Sequence, residues 1–422
     1  MANTFQTNKR TELVALRAAE SAGYLTIGSK KYLKDQLVGK RNGTAYDFVI
    51  RDAGEYQEGI DLSVTGPSNI VERKVTKEIV TGNVMINTNI LEKVTDVDWD
   101  KEIAYPNGKK LINGIVKRAV NDDLGWQGTA FAGAGFQPLF KGQNFLASIS
   151  DAPRYGFVDP MINSVLSSNG QAFKPVEAEP MSKAGLMGDL AGVTYRANQF
   201  MPMVSVSDAL VTEMAKCSAI TYAKVDETHA TLTLTGVGAI IPKGYVVWVD
   251  GAYATDLVGD KTSALRAFVA YEDGESNGVM KIRPVAFKGA GTNDANIGNV
   301  ENDANIGNVE VCSAAGVPMT VAQFNALDSI KYLPKGDYFG GFVRLDGTME
   351  FETLAEIDAS NADTKMASNE GLNVFENRAV DVIKGSNVTR WTVNSIGGIV
   401  EPRGVTYVLV KDQAVNIVTT NA

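Results

Sequence analysis

Cysteine and histidine are almost absent from this chain of 422 residues, which has two cysteines and one histidine. Two thiols, Cys217 and Cys312, cannot supply a disulfide framework, so we expect reduced side chains in a cytoplasmic setting. No apolar run reaches the roughly 18 residues that a membrane-spanning helix needs. Residues 1–6 lack an apolar segment behind a basic one, and we therefore expect no secretory signal.

The composition is that of a folded protein. Hydrophobic residues make up 44% of the chain and charged residues 21%, which are ordinary values for globular domains. A chain of 422 residues exceeds what one hydrophobic core usually organises, so two or three structural units are expected. The net charge of −9 disfavours a dedicated nucleic-acid binder, because phosphate contacts need clustered Lys and Arg.

The charge is distributed unevenly along the chain. Residues 1–41 hold eight basic and three acidic side chains, a charge of +5, which leaves −14 for the remainder of a chain whose total is −9. The basic residues of this arm are Lys9, Arg10, Arg17, Lys30, Lys31, Lys34, Lys40 and Arg41. A cationic arm on an anionic body predicts an acidic partner for the arm, and a merely solubilising arm is the alternative.

Apolar periodicity predicts two helices and a ribbon in the first third of the chain. Residues 11–22 have apolar positions at helical spacing, and Gly23 can end that helix. Short runs of alternating apolar and polar residues over 42–87 predict a long β-hairpin that projects from a body. A long amphipathic helix follows at about residues 106–125, with apolar positions at Leu111, Ile112, Ile115, Val116, Ala119 and Val120.

The rest of the chain has α+β texture. Residues 128–216 predict short helices at 160–166 and 177–190, with strands within 191–206. Residues 218–311 predict a small barrel or sandwich, because short strands recur at near-even spacing. Its strands are expected at 231–236, 245–249, 265–270 and 279–287, with Leu232, Leu234, Val246, Trp248, Phe268 and Ile282 buried against each other. A helix at 321–331 and further strands at 338–418 complete the prediction.

A perfect tandem repeat lies inside the β-rich block. Residues 293–301 (NDANIGNVE) are followed at once by the same nine residues at 302–310. Two short copies are too few for a solenoid, so we interpret them as a lengthened polar loop. Calcium binding through Asp294 and Asp303 is the alternative, although glycine stands fifth where an EF-hand loop needs it sixth.

Motifs that suggest catalysis fail on their context. Residues 274–278 match the nucleophile elbow G-x-S-x-G, but strand-like sequence lies on both sides of Ser276, and His229 precedes it in the chain. Cys217 and Cys312 bracket the β-rich block and are expected to pack as small apolar residues at its stem. We predict no catalytic, cofactor-binding or metal-binding residues.

Three further motifs are equally weak. Residues 133–138 begin like a dinucleotide loop, but Pro138 takes the place of the third glycine and the pattern predicts no preceding strand. Residues 259–262 resemble the end of a P-loop with Asp260 inserted. Asp96, Asp98 and Asp100 precede the long helix, where carboxylates more often cap a helix than bind a cation.

Five stretches, taken in order, resemble the major capsid proteins of tailed phages with the HK97-like fold, specifically the P22-like coat proteins with an insertion domain. They are residues 54–62 (GEYQEGIDL), 155–162 (YGFVDPMI), 191–194 (AGVT), 370–377 (EGLNVFEN) and 397–404 (GGIVEPRG). The nine-residue duplication departs from that family.

The resemblance implies a complete domain plan. It comprises an N-terminal arm (1–41), an E-loop β-hairpin (42–87), a P-domain with the spine helix (88–137), the first part of the A-domain (138–217), an inserted β-barrel-like domain (218–311), and the A-domain return with C-terminal P-domain strands (312–422).

The resemblance also implies a structural role rather than an enzyme. Such a protein self-assembles as hexamers and pentamers into the icosahedral head shell, which is formed in the host bacterial cytoplasm. Its implied partners are a scaffolding protein, a portal protein and packaged double-stranded DNA held by non-specific proximity, with no membrane. Another β-rich phage protein, such as a tail or decoration component, is the alternative.

Overall fold

A computed structural model of the protein describes residues 2–30, 45–51, 72–87, 99–162, 186–190, 192–225, 229–257, 261–283, 309–311, 329–354, 364–369, 371–381 and 386–412. The fold is α+β, and it divides into two compact units, each made from separated stretches of chain. The first unit takes Met1–Phe48, Thr76–Asp122 and Met349–Ile399, and the second takes Val49–Val75, Asp123–Thr348 and Val400–Ala422.

Helices of the first unit follow the predicted periodicity. Helix α1 is Ala2–Ser21, and the short helix α2 is Gly23–Thr26. A π-helical turn, Asp100–Ala104, leads directly into the 19-residue helix α3, Tyr105–Asp123. The amphipathic helix expected at this place is therefore present, and five of its six predicted apolar positions are buried: Leu111, Ile112, Ile115, Val116 and Val120.

A six-stranded sheet completes the first unit. Its main path runs β1 (Ser29–Lys30), β18 (Met349–Thr353), β21 (Ser386–Ile399), β20 (Leu372–Asp381) and β19 (Thr364–Asn369). Strand β4 (Val80–Asn87) also pairs with β21, antiparallel, with Val84 opposite Trp391. The 14-residue strand β21 is thus shared by three neighbours, two of them from the carboxyl-terminal part of the chain.

The ribbon expected over residues 42–87 divides between two sheets. Strands β2 (Ala45–Arg51) and β3 (Glu72–Glu78) form a two-stranded sheet of their own. Ile79 separates β3 from β4, which joins the six-stranded sheet. Alternation of side chains has the same period in a free ribbon and in a sheet edge, so the sequence pattern could not separate the two.

The second unit is built on a seven-stranded sheet. Its path is β5 (Thr129–Ala134), β22 (Val405–Lys411), β17 (Gly336–Leu345), β6 (Arg154–Val158), β8 (Val193–Ala197) and β7 (Leu186–Leu190), with β9 (Met203–Val206) also paired to β17. Helix α4 (Gln137–Ile149) packs on this sheet, and Leu139 and Leu146 join its core. Helix α5 (Asp208–Met214) is capped by Ser207, whose hydroxyl accepts from the Leu210 amide.

Two predicted helices are wrong in their described parts. The interval 177–190 ends in strand β7, and the interval 321–331 runs into strand β16 (Ile330–Tyr332). Short apolar runs are compatible with either a helix or a buried strand, and here pairing with a neighbouring strand decided the outcome. The strands predicted within 191–206 are present as β8 and β9.

The β-rich block forms two sheets in the described part of the chain, and no single closed barrel is seen there. Strands β10 (Ala219–Lys224), β11 (Ala230–Thr235) and β14 (Val279–Ile282) make the first. Strands β12 (Val246–Thr255), β13 (Lys261–Val269) and β15 (Val309–Val311) make the second, which β16 extends beyond residue 311. The strands predicted at 231–236, 245–249, 265–270 and 279–287 all have counterparts.

The block also contacts the seven-stranded sheet of its own unit. Leu232, Leu234, Val246, Phe268 and Ile282 are buried as expected. Trp248 differs, because it is only partly buried and its indole N–H donates to the Ala130 carbonyl at 3.0 Å. The Thr129 hydroxyl donates to the Leu265 carbonyl at 2.7 Å. The expectation that the block packs only on itself is therefore wrong at Trp248.

Glycine at position 108 allows α1 and α3 to cross closely. A Cβ at Gly108 would lie 2.7 Å from the Val14 carbonyl oxygen and 3.0 Å from the Ala18 nitrogen, both backbone atoms. Gly114, six residues further along α3, has nothing within 4 Å of the same position. Backbone atoms cannot move aside as a flexible side chain can, so only the first glycine is required by packing.

We predict opposite effects for alanine at these two glycines. Gly108→Ala should lower the free energy of unfolding by about 1–3 kcal/mol through overpacking. Gly114→Ala should raise it by about 0.5–1 kcal/mol, because alanine is the better helix former in an open position. Urea denaturation followed by circular dichroism measures both, and equal effects of the two variants would contradict the close crossing.

Candidate functional site

The amino-terminal helix lies on the sheet of its own unit. Its inner face is apolar, with Val14, Ala15, Ala18 and Ala19 all buried, and it packs on β19 and β20. Small side chains at these positions bring the helix backbone close to its neighbours. The contact points between α1, the π-helical turn and the sheet are called here the amino-terminal helix seat, and they are Arg10, Thr11, Arg17, Trp99, Asp100, Glu376 and Trp391.

A buried carboxylate lies at the centre of the seat. Glu376, on β20, is only 2% exposed. One of its oxygens, Oε2, accepts from the Thr11 hydroxyl at 2.5 Å and from the Trp391 indole N–H at 3.2 Å. A buried carboxylate needs such donors, because its desolvation is otherwise uncompensated. Thr11 therefore links the helix to a strand 365 residues later in the chain.

A bidentate ion pair holds the other end of the helix. Arg17 donates through Nε to Asp100 Oδ1 at 3.0 Å and through Nη2 to Asp100 Oδ2 at 2.5 Å. Its Nη1 also donates to Glu20 at 2.8 Å. The hydrogen bonds from Arg17 hold the pKa of Asp100 below its usual value of 3.8 and raise the pKa of Arg17. Asp100 thus pairs with α1, and no side-chain cap is present at this turn.

Aromatic side chains fill the space between these polar contacts. Trp99 and Trp391 meet edge to face, with ring centroids 6.3 Å apart and planes at 78°. The Arg10 guanidinium lies over the Trp99 ring, 5.6 Å from its centroid. Both indoles are 1% exposed. The arrangement can hold a helix in one orientation, as aromatic pairs and cation–π contacts do elsewhere.

The seat changes the interpretation of the basic arm. Lys9, Arg10 and Arg17 were expected to face an acidic partner, but Arg17 is neutralised by Asp100 and Glu20 within the chain. Arg10 contacts Trp99. Lys9 is exposed, and residues 31–44, which carry four of the arm's basic side chains, lie outside the described residues. An acidic partner for the arm stays a prediction, while within the chain Arg17 is already paired with carboxylates and Arg10 already lies over an indole.

Sequence reasoning missed Glu376 and both tryptophans of the seat. One signal was available for Glu376, since Leu372, Val374 and Glu376 alternate along a strand and share one face. A carboxylate on an apolar strand face predicts a buried, hydrogen-bonded group. No comparable signal identified its partner, because Thr11 is an ordinary helix residue until the fold places it.

The G-x-S-x-G match at residues 274–278 lacks the structural context of a catalytic serine. Residues 274–278 lie in a turn between β13 and β14, where the Ser276 carbonyl accepts from the Val279 amide and Gly278 has φ of +72°. His229 lies beside Tyr271, with ring centroids 5.2 Å apart. That strand–turn–strand context is not the strand–turn–helix of a nucleophile elbow.

The glycine loop at 133–138 needs a correction. Strand β5 does precede it and helix α4 follows, contrary to the expectation that no strand leads in. Pro138 still occupies the third position and lies in the first turn of α4, where proline is tolerated.

Several candidate positions fall in stretches that the structure does not describe. Asp96, Asp98, residues 258–260, Cys312 and residues 293–308 of the repeat lie outside the described residues. The end of the second copy enters β15, where Val309 is opposite Ala254 and Glu310 opposite Tyr253. The Cys217 thiol is partly exposed, and it donates to the Ala219 carbonyl at 3.5 Å.

The described residues contain neither a candidate metal-binding cluster nor a candidate membrane-spanning helix. No group of three or more His, Cys, Asp or Glu side chains is arranged there to hold a metal ion. None of the helices described combines the length and the apolar character required to cross a membrane.

Comparison with known proteins finds similarity only among solved structures. No family model and no curated protein matches the sequence. The chain is similar to the capsid of Ralstonia phage GP4, at 6% identity and a TM-score of 0.45 over 94% of this chain and 91% of that one. It is also similar to the acid-stable capsid of Helicobacter pylori bacteriophage KHP30, at 10% identity and a TM-score of 0.42 over 91% of this chain and 88% of that one. A third similar structure is the capsid of cyanophage P-SCSP1u, at 10% identity and a TM-score of 0.39 over 88% of this chain and 84% of that one.

We predict that the Thr11 hydroxyl is required beneath α1. Thr11→Val keeps the side-chain shape but removes the donor to Glu376, so the free energy of unfolding should fall by about 1–3 kcal/mol. Thr11→Ser keeps the hydroxyl and is the matched control, with a smaller loss. Urea denaturation compares them, and equal losses would show that packing, not the hydrogen bond, matters at this position.

We also predict an acid-dependent contribution from the Arg17 pair. Because the folded-state pKa of Asp100 is lowered, the stabilisation is present above its usual value of 3.8 and is lost as pH falls through the lower folded value. Asp100→Asn should therefore cost about 1 kcal/mol near pH 6 and almost nothing once the carboxyl is protonated. Urea denaturation across this pH range tests it, and a pH-independent difference would contradict the assignment.

Proposed function

We propose that the chain is a major capsid protein that self-assembles into the icosahedral head shell of a tailed phage and encloses double-stranded DNA. Identities of 6–10% and TM-scores below 0.5 do not carry a role from one protein to another, so the proposal is argued from the chain's own elements. The order of those elements carries it. A helical arm, a two-stranded ribbon, a 19-residue helix and a mixed-sheet unit with a β-rich block follow one another.

The HK97-like plan, with a P22-like insertion domain, assigns each element a place. On that plan the 42–87 segment is the E-loop, whose β2–β3 ribbon lies across a neighbouring subunit while β4 joins the sheet of its own unit, and α3 is the spine helix of the P-domain. The β-rich block at 218–311 is the inserted domain. A two-stranded ribbon such as β2–β3 has no core of its own and gains stability from a partner surface, which supports this role.

The assembly mechanism is association without chemistry. Identical subunits form hexamers and pentamers through heterologous contacts, and the symmetry of the closed shell ends growth. A scaffolding protein and a portal protein are the proposed partners during assembly in the host cytoplasm. Because Arg10 and Arg17 are engaged within the subunit, an acidic scaffold segment would meet Lys9 and the basic residues beyond α1 instead.

We predict that the purified full-length chain forms shells. Negative-stain electron microscopy after expression should show closed shells or tubular polyheads, with or without a co-expressed scaffolding protein. Fibres or discrete small oligomers would favour a tail or decoration component, and a persistent monomer at every concentration tested would refute the capsid assignment. Gly114→Ala, which should leave the fold intact, serves as the matched variant that ought to assemble normally.

A further inference from the structure

The exposed side of α3 carries a group of lysines in an otherwise acidic protein. Lys109, Lys110 and Lys117 are all exposed, and Asn113 and Gly114 lie between them. We call these three lysines the lysine face. Lys110 and Lys117 are seven residues apart, so at about 1.5 Å of rise per residue they lie about 10 Å apart along one side of the helix.

The charges of the lysine face are not neutralised within the described chain. No carboxylate there forms an ion pair with any of the three, and the one recorded contact is that of Lys109 Nζ over the Tyr105 ring at 5.7 Å. The next basic residue behaves differently. Arg118 donates to Glu78 at 3.0 Å and to Asp122 at 3.4 Å. The lysine face is thus a cluster of cations without a carboxylate partner among the described residues, on a chain whose net charge is −9.

The chemistry around the lysines favours a polyanion over a protein partner. Protein interfaces are depleted in Lys at their centres and enriched in aromatic residues. On α3 the one large apolar side chain that is exposed is Tyr105, at the start of the helix. Gly114 has nothing within 4 Å of the position that a Cβ would occupy, so no side chain of the described residues fills the space beside it. Apart from the Tyr105 ring beside Lys109, the lysines have no exposed large apolar side chain of α3 as a neighbour, and compact ammonium groups suit phosphates bound as point charges.

We infer that the lysine face binds the phosphate backbone of double-stranded DNA without regard to sequence. The three ammonium groups neutralise phosphates and release their counterions, which is the source of non-specific affinity. The presence of DNA beside this protein rests on the proposed capsid function, whereas the binding itself does not. The surrounding negative charge keeps this attachment weak, as a packaged genome that must later leave the shell requires.

The test measures binding of dispersed full-length subunits to a fluorescein-labelled DNA duplex by fluorescence anisotropy over a series of salt concentrations. The triple variant Lys109→Gln, Lys110→Gln, Lys117→Gln should lose at least about tenfold in affinity at low salt. The slope of log K against log salt should fall by about 2.7, which is 0.9 for each lost phosphate contact. Glutamine is as good a helix former as lysine, so circular dichroism should be unchanged.

The matched control removes the same three charges elsewhere. Lys216, Lys331 and Lys335 already pair with Glu213, Asp250 and Asp208, so Lys216→Gln, Lys331→Gln, Lys335→Gln should bind DNA almost as the unmodified chain does. An equal loss in this control would show that net charge alone governs binding. That result, or unmodified subunits that do not bind DNA at low salt, would overturn the inference.

Two further outcomes separate this inference from its alternatives. Poly-glutamate that displaces the duplex at a lower charge concentration than unlabelled DNA would assign the face to an acidic protein segment. Electron microscopy of the triple variant keeps the two proposals distinguishable. Shells that form normally while subunit binding to DNA is lost support both, whereas subunits that bind DNA through these lysines but never assemble would retain the inference and refute the capsid role.

Discussion

Residues from three distant stretches of the chain meet around the buried carboxylate of Glu376. Thr11 reaches it from α1, and Trp391 reaches it from the neighbouring strand. Trp99 packs on Trp391 at the beginning of the π-helical turn. Because the first unit is assembled from segments that are far apart in sequence, this shared contact orders all of them at once. Without both donors the buried Oε2 atom of Glu376 would lose the hydrogen bonds from Thr11 and Trp391, which a marginally stable fold tolerates poorly.

The basic residues of the protein have two distinct uses. In the amino-terminal helix seat, cations stabilise the fold. Arg17 forms an ion pair with Asp100, and Arg10 lies over the Trp99 ring. On α3 the lysine face has no carboxylate partner in the described chain, so its charge remains available to a ligand. A count of charges cannot separate these uses. The +5 arm drew attention to the amino terminus, whereas the uncompensated cations of the described residues include those on a helix more than a hundred residues into the chain.

The second unit has several buried cations, and one of them connects two of its parts. Arg266 on β13 is 3% exposed, and it donates to the Gln127 carbonyl just before β5, which ties the β-rich block to the seven-stranded sheet. Burial lowers the pKa of this guanidinium to about 9. With the bonds of Trp248 and Thr129, it makes the block part of its unit by tertiary contacts rather than a domain that only its linkers attach.

The sequence by itself determined the elements whose side chains repeat with a clear period. These are the long amphipathic helix at Leu111 to Val120 and the strands of the β-rich block, which together also indicate the α+β class. They are predictable because an element with one buried face has apolar residues at regular spacing. Only the tertiary structure decided which strands pair, as when β4 leaves the predicted hairpin for β21. It also decided which basic side chains form ion pairs within the chain. Arg17 and Lys117 are both basic residues on amphipathic helices, and only the fold places a carboxylate of another element beside Arg17. Pairing partners and neighbouring carboxylates are set by long-range contacts, and such contacts leave no local pattern to read.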